Sequence, residues 1–196
     1  MNLLALETST VRASVALSWG DQRYQLEENT LNRHAEWILS AVEQLLQQAG
    51  ATLSALQGIV FGQGPGSFTG LRITCGVAKG LALGAGLPLY PVSGLAAIEA
   101  QVVAETRQKA HILTVLDARM QAWYWALFSQ GRMQGKISLD APGQLPLEGS
   151  APLWVAGVGF TLAQLPAAVQ VRVIGSEELY PSAAALIDIV RRGGSV

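Results

Sequence analysis

The pattern that opens the chain returns at His111. Asn2 to Glu7 is a short apolar run ending in an acid, and Thr8-Ser9-Thr10 is a polar turn. Ala13, Val15 and Leu17 then alternate with small or polar residues, the period of a half-buried strand. Gly20-Asp21 predicts a hairpin turn and Arg23 to Glu28 a third strand. In the second copy, His111 to Asp117 is again an apolar strand ending in an acid. Ala118-Arg119 makes the turn, Trp123 to Phe128 the hairpin strand, Gln130-Gly131 the next turn, and Met133 to Ser138 the third strand. Acid and hairpin glycine are almost equally spaced in both copies, Glu7 to Gly20 and Asp117 to Gly131. Two copies of strand, acid, turn, strand, turn, strand predict an α/β chain of two related lobes, each a mixed sheet with flanking helices. The lobes are expected at residues 1–108 and 109–196.

Between the copies, Asn32 is a candidate cap for a helix over Arg33–Ala49 that Gly50 ends. Ala35, Ile38, Leu39, Val42, Leu45, Leu46 and Ala49 form its apolar stripe. Gly58 to Phe61 reads as a buried strand, and Gly62-Gln63-Gly64-Pro65-Gly66-Ser67-Phe68-Thr69-Gly70-Leu71-Arg72 as a glycine-rich turn entering a helix over Leu71–Gly84. Ser67 or Thr69 is placed to cap that helix. The turn lacks the lysine of a phosphate loop, the spacing of a dinucleotide fingerprint and the serine position of a nucleophile elbow. An anion at a bare helix N-terminus stays open; a structural turn that aims the helix is simpler. Gly76, Gly80 and Gly84 recur at every fourth residue and so share one ridge. Each costs about 1 kcal/mol relative to alanine inside a helix. The compensating gain is close approach by another helix, from this chain or from a partner.

Further on, Leu89 to Val92 predicts an edge strand, and Ser93 a cap for a helix over Gly94–Gln108. Asp140 to Pro152 predicts a loop, and Leu153 to Ala156 a strand that Gly157 and Gly159 turn into a short helix. Val169 to Ile174 predicts another strand, and Ser182 the cap of a last helix over Ala183–Arg192. Charged residues are only 14%, against roughly 25% in an average domain. So little charge suits a chain that buries surface against another protein. The net charge of −1 gives no electrostatic footprint for unaided nucleic-acid binding. Cys75 is the only cysteine, which excludes an intrachain disulfide. Met1 leads straight into a strand, and prolines and glycines break the long uncharged stretches, so neither a leader nor a membrane span is expected. A soluble cytoplasmic protein is the expectation.

A duplicated lobe with an acid closing its first strand resembles the superfamily of actin, Hsp70 and sugar kinases, of ribonuclease H-like fold. Within it, Gly64-Pro65-Gly66-Ser67-Phe68-Thr69-Gly70-Leu71-Arg72 resembles the signature of the bacterial TsaB (YeaZ) family. Weaker matches fall in the same order: Leu4-Ala5-Leu6-Glu7-Thr8-Ser9-Thr10, Asp117-Ala118-Arg119-Met120 with Tyr124-Trp125-Ala126, and Gly157-Val158-Gly159. The resemblance implies a non-catalytic partner of the TsaD transferase, which forms N6-threonylcarbamoyladenosine at position 37 of tRNAs reading codons that start with A. It also implies a TsaE-like ATPase as third component, a homodimer when the chain is alone, and tRNA contact only through the complex. No cofactor of its own is implied, because ATP or ADP and metal are bound mainly by the partner. The pairing face maps to the first two long helices: Trp37 and Ala41 on one, and Arg72, Ile73, Gly76, Val77, Gly80 and Leu83 on the other. Three departures from the family pattern stand out: Glu7 in place of the usual Asp, Thr74 in place of a common Gly, and no Pro-Val-Tyr-Leu-Arg-like tail.

Chemistry of the chain's own is the rival expectation. In the superfamily such acids grip phosphates and metal, so Glu7 and Asp117 are the candidates for a degenerate nucleotide site, as in a stand-alone ATP-binding enzyme. The simpler reading of each is a strand-end carboxylate that accepts turn amides. A TsaD-type metal site needs two histidines one helical turn apart, whereas His34 and His111 fall on separate elements. A peptidase built from Ser67, a histidine and Asp117 has no supporting spacing. Neither a catalytic residue nor a metal ligand is therefore expected. The Trp123-Tyr124-Trp125 run is expected to serve sheet packing.

Overall fold

The computed structural model describes residues 1–29, 33–106, 111–145, 147 and 149–193. It divides into two units, Met1–Ala97 with Pro181–Val196, and Ile98–Tyr180.

The first unit holds strands β1 (Leu3–Glu7), β2 (Ala13–Trp19), β3 (Gln22–Glu28), β4 (Gly58–Gly62) and β5 (Leu89–Val92). They lie in the order β3-β2-β1-β4-β5. The hairpin pairs are antiparallel, while β4 and β5 run parallel to β1. Helices α1 (His34–Ala49) and α2 (Phe68–Ala85) make the parallel crossovers, as a parallel pairing requires. Every residue of β1 is buried, because both sheet faces are covered. Leu4 and Leu6 point into the core under α1 and α2, while Leu3 and Ala5 point into the core under the last helix, α5 (Ala183–Arg191). Gly50 ends α1 in the left-handed conformation, φ 60°, as its sequence position predicts. The proposed cap Asn32 lies outside the described residues.

That last helix corrects the expected lobe boundary. It belongs to the first unit although it follows the second in sequence. Buried Ser14 of β2 accepts the Ala183 N–H at 2.9 Å, and the Ser182 hydroxyl accepts the Ala185 N–H at 3.3 Å. Arg23 of β3 pairs with Asp188 at 2.5 Å, and Arg191 donates to Ser18 at 3.0 Å. The amphipathic face of α5 therefore finds its sheet through contacts that no local pattern announces.

The second unit repeats the plan with β6 (His111–Asp117), β7 (Trp123–Ser129), β8 (Arg132–Asp140), β9 (Leu153–Val158) and β10 (Val173–Glu178). Their order, β8-β7-β6-β9-β10, has the same parallel and antiparallel senses as the first sheet. The two related lobes of mixed sheet are thus observed. Helix α3 (Gly94–Thr106) precedes this sheet. Ser93 does not cap α3 through its side chain, since its buried hydroxyl has no hydrogen-bond partner. The strand expected at Val169 begins later. Val169 lies in the short helix α4 (Ala167–Gln170), and its side chain fills the core beside Val155 and Leu165. A short apolar run fits either state by periodicity, and here the helical turn wins.

Candidate functional site

Helix α2 starts at Phe68, three residues earlier than the apolar pattern indicates, because Ser67 is its cap and accepts the Gly70 N–H at 3.3 Å. Its buried positions are Gly70, Thr74, Ala78 and Ala82. The glycine ridge lies on the other side. A Cβ added to Gly76, Gly80 or Gly84 would meet nothing within 4 Å, so the ridge is uncovered among the described residues. Leu83 beside it is 87% exposed and Phe68 is 68% exposed. Arg72 stacks over the Phe68 ring at 4.0 Å. Arg72 and Lys79 are the only charges on α2. An exposed helix face normally carries mostly polar residues; this one carries three glycines, a leucine and a phenylalanine beside Arg72 and Lys79.

The expected pairing residues divide accordingly. Arg72, Gly76, Gly80 and Leu83 stand on the open face. Trp37, Ile73 and Val77 are half-buried and pack against the core. Ala41 is 1% exposed and belongs to the core itself, so no partner can reach it. Its position three residues after Ile38 and four before Leu45 already placed it on the buried stripe. Leu39, assigned to that stripe, is exposed instead. It borders a shallow groove with Val42, Leu46, Leu53 and Leu81 between α1 and α2. Phe68 is an exposed aromatic on the same helix that falls outside the span expected from sequence; reading Ser67 as the sole cap places it in the first turn.

Glu7, at the end of β1, is fully buried. Its Oε1 accepts the Ser9 N–H at 2.5 Å, and its Oε2 has no hydrogen-bond partner. A Cβ at Gly62 would stand 1.9 Å from that Oε2. Asp117 is exposed, and its Oδ1 accepts the Arg119 N–H at 2.8 Å. Both carboxylates thus accept the amide two residues ahead, the turn role that their strand-end positions allow. The turn after Asp117 holds Arg119, Met120 and Gln121 at φ 63°, 52° and 60°. The two acids lie in different units.

Burial pushes the Glu7 carboxyl above its ordinary value of 4.5, and the Ser9 and Thr8 hydrogen bonds only partly oppose it. The folded state therefore favours the protonated acid. Its contribution to stability is present at low pH and is lost as pH rises through the raised folded value. Glu7→Gln keeps the acceptor for Ser9 and removes the charge. Urea unfolding between pH 4 and pH 8 should show a flatter pH profile for the variant. It should gain roughly 1–3 kcal/mol over the parent at the upper end, the scale of an unsatisfied buried group. Parallel profiles would remove Glu7 as the titrating group.

Ser67, His34 and the two tryptophans have structural partners. Ser67 is engaged as a cap. His34 is buried, its Nε2 donates to the Val11 carbonyl at 3.2 Å, and burial lowers its pKa. His111 opens β6 and is half-buried. Trp123 packs edge-on to Phe160, and Trp125 donates to Asp140 at 2.8 Å, as sheet packing predicts. Among the described residues there is no group of three His, Cys, Asp or Glu able to hold a metal, and no helix long and apolar enough to cross a membrane.

Residues 28–145, more than half of the chain, match the family model of TsaD, tRNA N6-adenosine threonylcarbamoyltransferase. The tRNA threonylcarbamoyladenosine biosynthesis protein TsaB of Haemophilus influenzae is 40% identical over 126 residues, 64% of this chain and 53% of that protein. TsaB of Escherichia coli is also 40% identical, over 131 residues, 66% of this chain and 56% of that protein. The matched stretch thus spans little more than half the length of these relatives. The solved structure of YeaZ from Pseudomonas aeruginosa is 33% identical and covers 100% of this chain and 94% of that one, with a TM-score of 0.88.

Proposed function

The chain belongs to the TsaB (YeaZ) family, and on that footing we propose that it serves N6-threonylcarbamoyladenosine formation on tRNA as the non-catalytic partner of a TsaD-type transferase. One observation carries the proposal: the outward face of α2, where three glycines open onto empty space beside an 87% exposed Leu83. Glycine inside a helix is unfavourable, and an exposed leucine gives up about 1.5–3 kcal/mol of burial. Both features become favourable when a second helix lies along the ridge. The bare backbone lets that helix approach to the short end of the usual 8–10 Å interaxial range, roughly, while Leu83 and Phe68 are covered.

The partner has a physical rationale too. Residues 28–145 fit a TsaD model, so a TsaD-type protein offers a lobe of related build. Two such lobes can pair through like faces about a pseudo-two-fold axis, and two copies of this chain can do the same. In this reading the chain forms a homodimer when alone. It reaches position 37 of tRNAs reading codons that start with A, the TsaE-like ATPase and any nucleotide or metal only within the cytoplasmic complex. The burial of Glu7 and the capping role of Ser67 support a scaffold rather than an ATP-using enzyme or a peptidase.

Leu83→Asp tests the docking face. The side chain touches little of its own chain, so the fold should persist. Affinity for a TsaD-type protein from the same organism, measured by calorimetry, should fall at least 100-fold. Unchanged affinity would overturn the assignment of α2.

A further inference from the structure

The docking helix carries small residues along its inner midline as well as along its outward ridge: Gly70, Thr74, Ala78 and Ala82 are buried, and Gly76, Gly80 and Gly84 face outward. Ile73, Val77 and Leu81 flank the inner row and pack against the core. Small residues interlock weakly, so the midline itself specifies axial sliding poorly. What marks the seam is a polar contact. The Thr8 hydroxyl, at the end of β1, donates to the Gly70 carbonyl at 2.7 Å and also contacts the Thr74 hydroxyl within hydrogen-bond distance. Thr8 and Thr74 are both fully buried. One residue on, the Ser9 carbonyl accepts the Ser67 N–H at 2.7 Å. The turn after β1 thus grips α2 at its cap, its first turn and its second turn.

Building on the docking role proposed above, we infer that Thr74, paired with Thr8, is a positioning residue that sets the register of α2 and so the direction in which the glycine ridge is presented. Thr74 points away from the ridge and touches no partner. It acts from behind, as a single buried polar contact fixes register between otherwise uniform helices. Thr74→Val keeps the shape and removes the hydroxyl; Thr74→Ser keeps the hydroxyl and removes the methyl.

Amide hydrogen exchange on the intact chain gives the first readout. Thr74→Val should speed exchange of the Leu71–Cys75 amides at least tenfold, and Thr74→Ser should restore near-parental rates. The second readout is affinity for the TsaD-type protein, which should fall about tenfold in Thr74→Val and recover in Thr74→Ser. Ile187→Val, in the core under α5, serves as a control for general destabilisation and should leave affinity unchanged. If Thr74→Val fails to fold, Thr74→Ala carries the test: it removes the same hydroxyl and should speed exchange of the Leu71–Cys75 amides relative to Thr74→Ser, and equal rates in the two would overturn the pin. Parental exchange in Thr74→Val, or equal affinity losses in Thr74→Val and Ile187→Val, would overturn the pin. Docking itself is judged separately by Leu83→Asp: loss there with no loss in Thr74→Val removes the pin and leaves the docking face standing.

Discussion

Alanine at Gly76, Gly80 and Gly84 together is expected to make the isolated chain more stable and less able to dock. Each added methyl meets open space, and none of the three glycines has positive φ. The change therefore removes a backbone-entropy cost without adding a clash. The gain is about 1 kcal/mol per site, or roughly 2–3 kcal/mol for the triple variant. For a chain of this size that is a rise in Tm of roughly 5–10 °C. Docking should move the other way. Three methyls on the ridge hold a facing helix off the backbone, and separation forfeits contacts along the whole seam. A loss of affinity of about 100-fold or more is expected, readable by calorimetry against a TsaD-type protein. A variant that gains stability and loses binding marks a surface whose composition serves a partner rather than the fold. A variant that loses both would mean that the ridge is structural after all.

The same substitution in the same helix, two turns earlier, should have the opposite sign. A Cβ at Gly70 would stand 1.9 Å from the Thr8 carbonyl oxygen and 2.9 Å from its carbon. Both are main-chain atoms at the end of a buried central strand, so neither side can yield cheaply. Gly70→Ala must therefore displace α2 from the β1 turn. That breaks the Thr8–Gly70 hydrogen bond and uncouples the Ser9–Ser67 contact beside it. The expected loss exceeds about 3 kcal/mol, in the range reserved for overpacking joined to a broken buried network. Chemical denaturation of Gly70→Ala and Gly76→Ala side by side measures it, since intrinsic helix propensity contributes equally to both. Equal effects of the two substitutions would refute the close approach.

The signs differ because the glycines divide into two sets, and only one set was legible in the sequence. The ridge follows from spacing: residues four apart share a helix face wherever the helix lies. The clasp does not. Gly66 and Gly70 are glycine because a Cβ there would stand 2.4 and 1.9 Å from the Ser9 and Thr8 carbonyl oxygens, close approaches across about sixty residues of chain that leave no local trace. The structural role of the turn follows from its mismatch to phosphate loops, dinucleotide fingerprints and nucleophile elbows, but its occupant, the chain's own first turn, does not. The duplication was legible for the opposite reason, since alternation, terminal acid and hairpin glycine are each local. It extended to the identical order and sense of the two five-stranded sheets. The return of α5 to the first sheet was hidden, because the Ser14 and Arg23 contacts that seat it come from the far end of the chain. The burial of Ala41 is legible too: its spacing from Ile38 and Leu45 places it inward, against the pairing face that the resemblance implies.

The central claim is that the outward face of α2 exists to be covered by another protein. Oxidative footprinting of Leu83 and Phe68, in the chain alone and then saturated with a TsaD-type protein from the same organism, tests it most directly. Both side chains are open in the chain alone, and complex formation should slow their oxidation several-fold while the exposed Met120 and Met133 of the second unit react as before. Unchanged oxidation of Leu83 and Phe68 in a fully formed complex, with protection appearing at Met120 or Met133 instead, would contradict it.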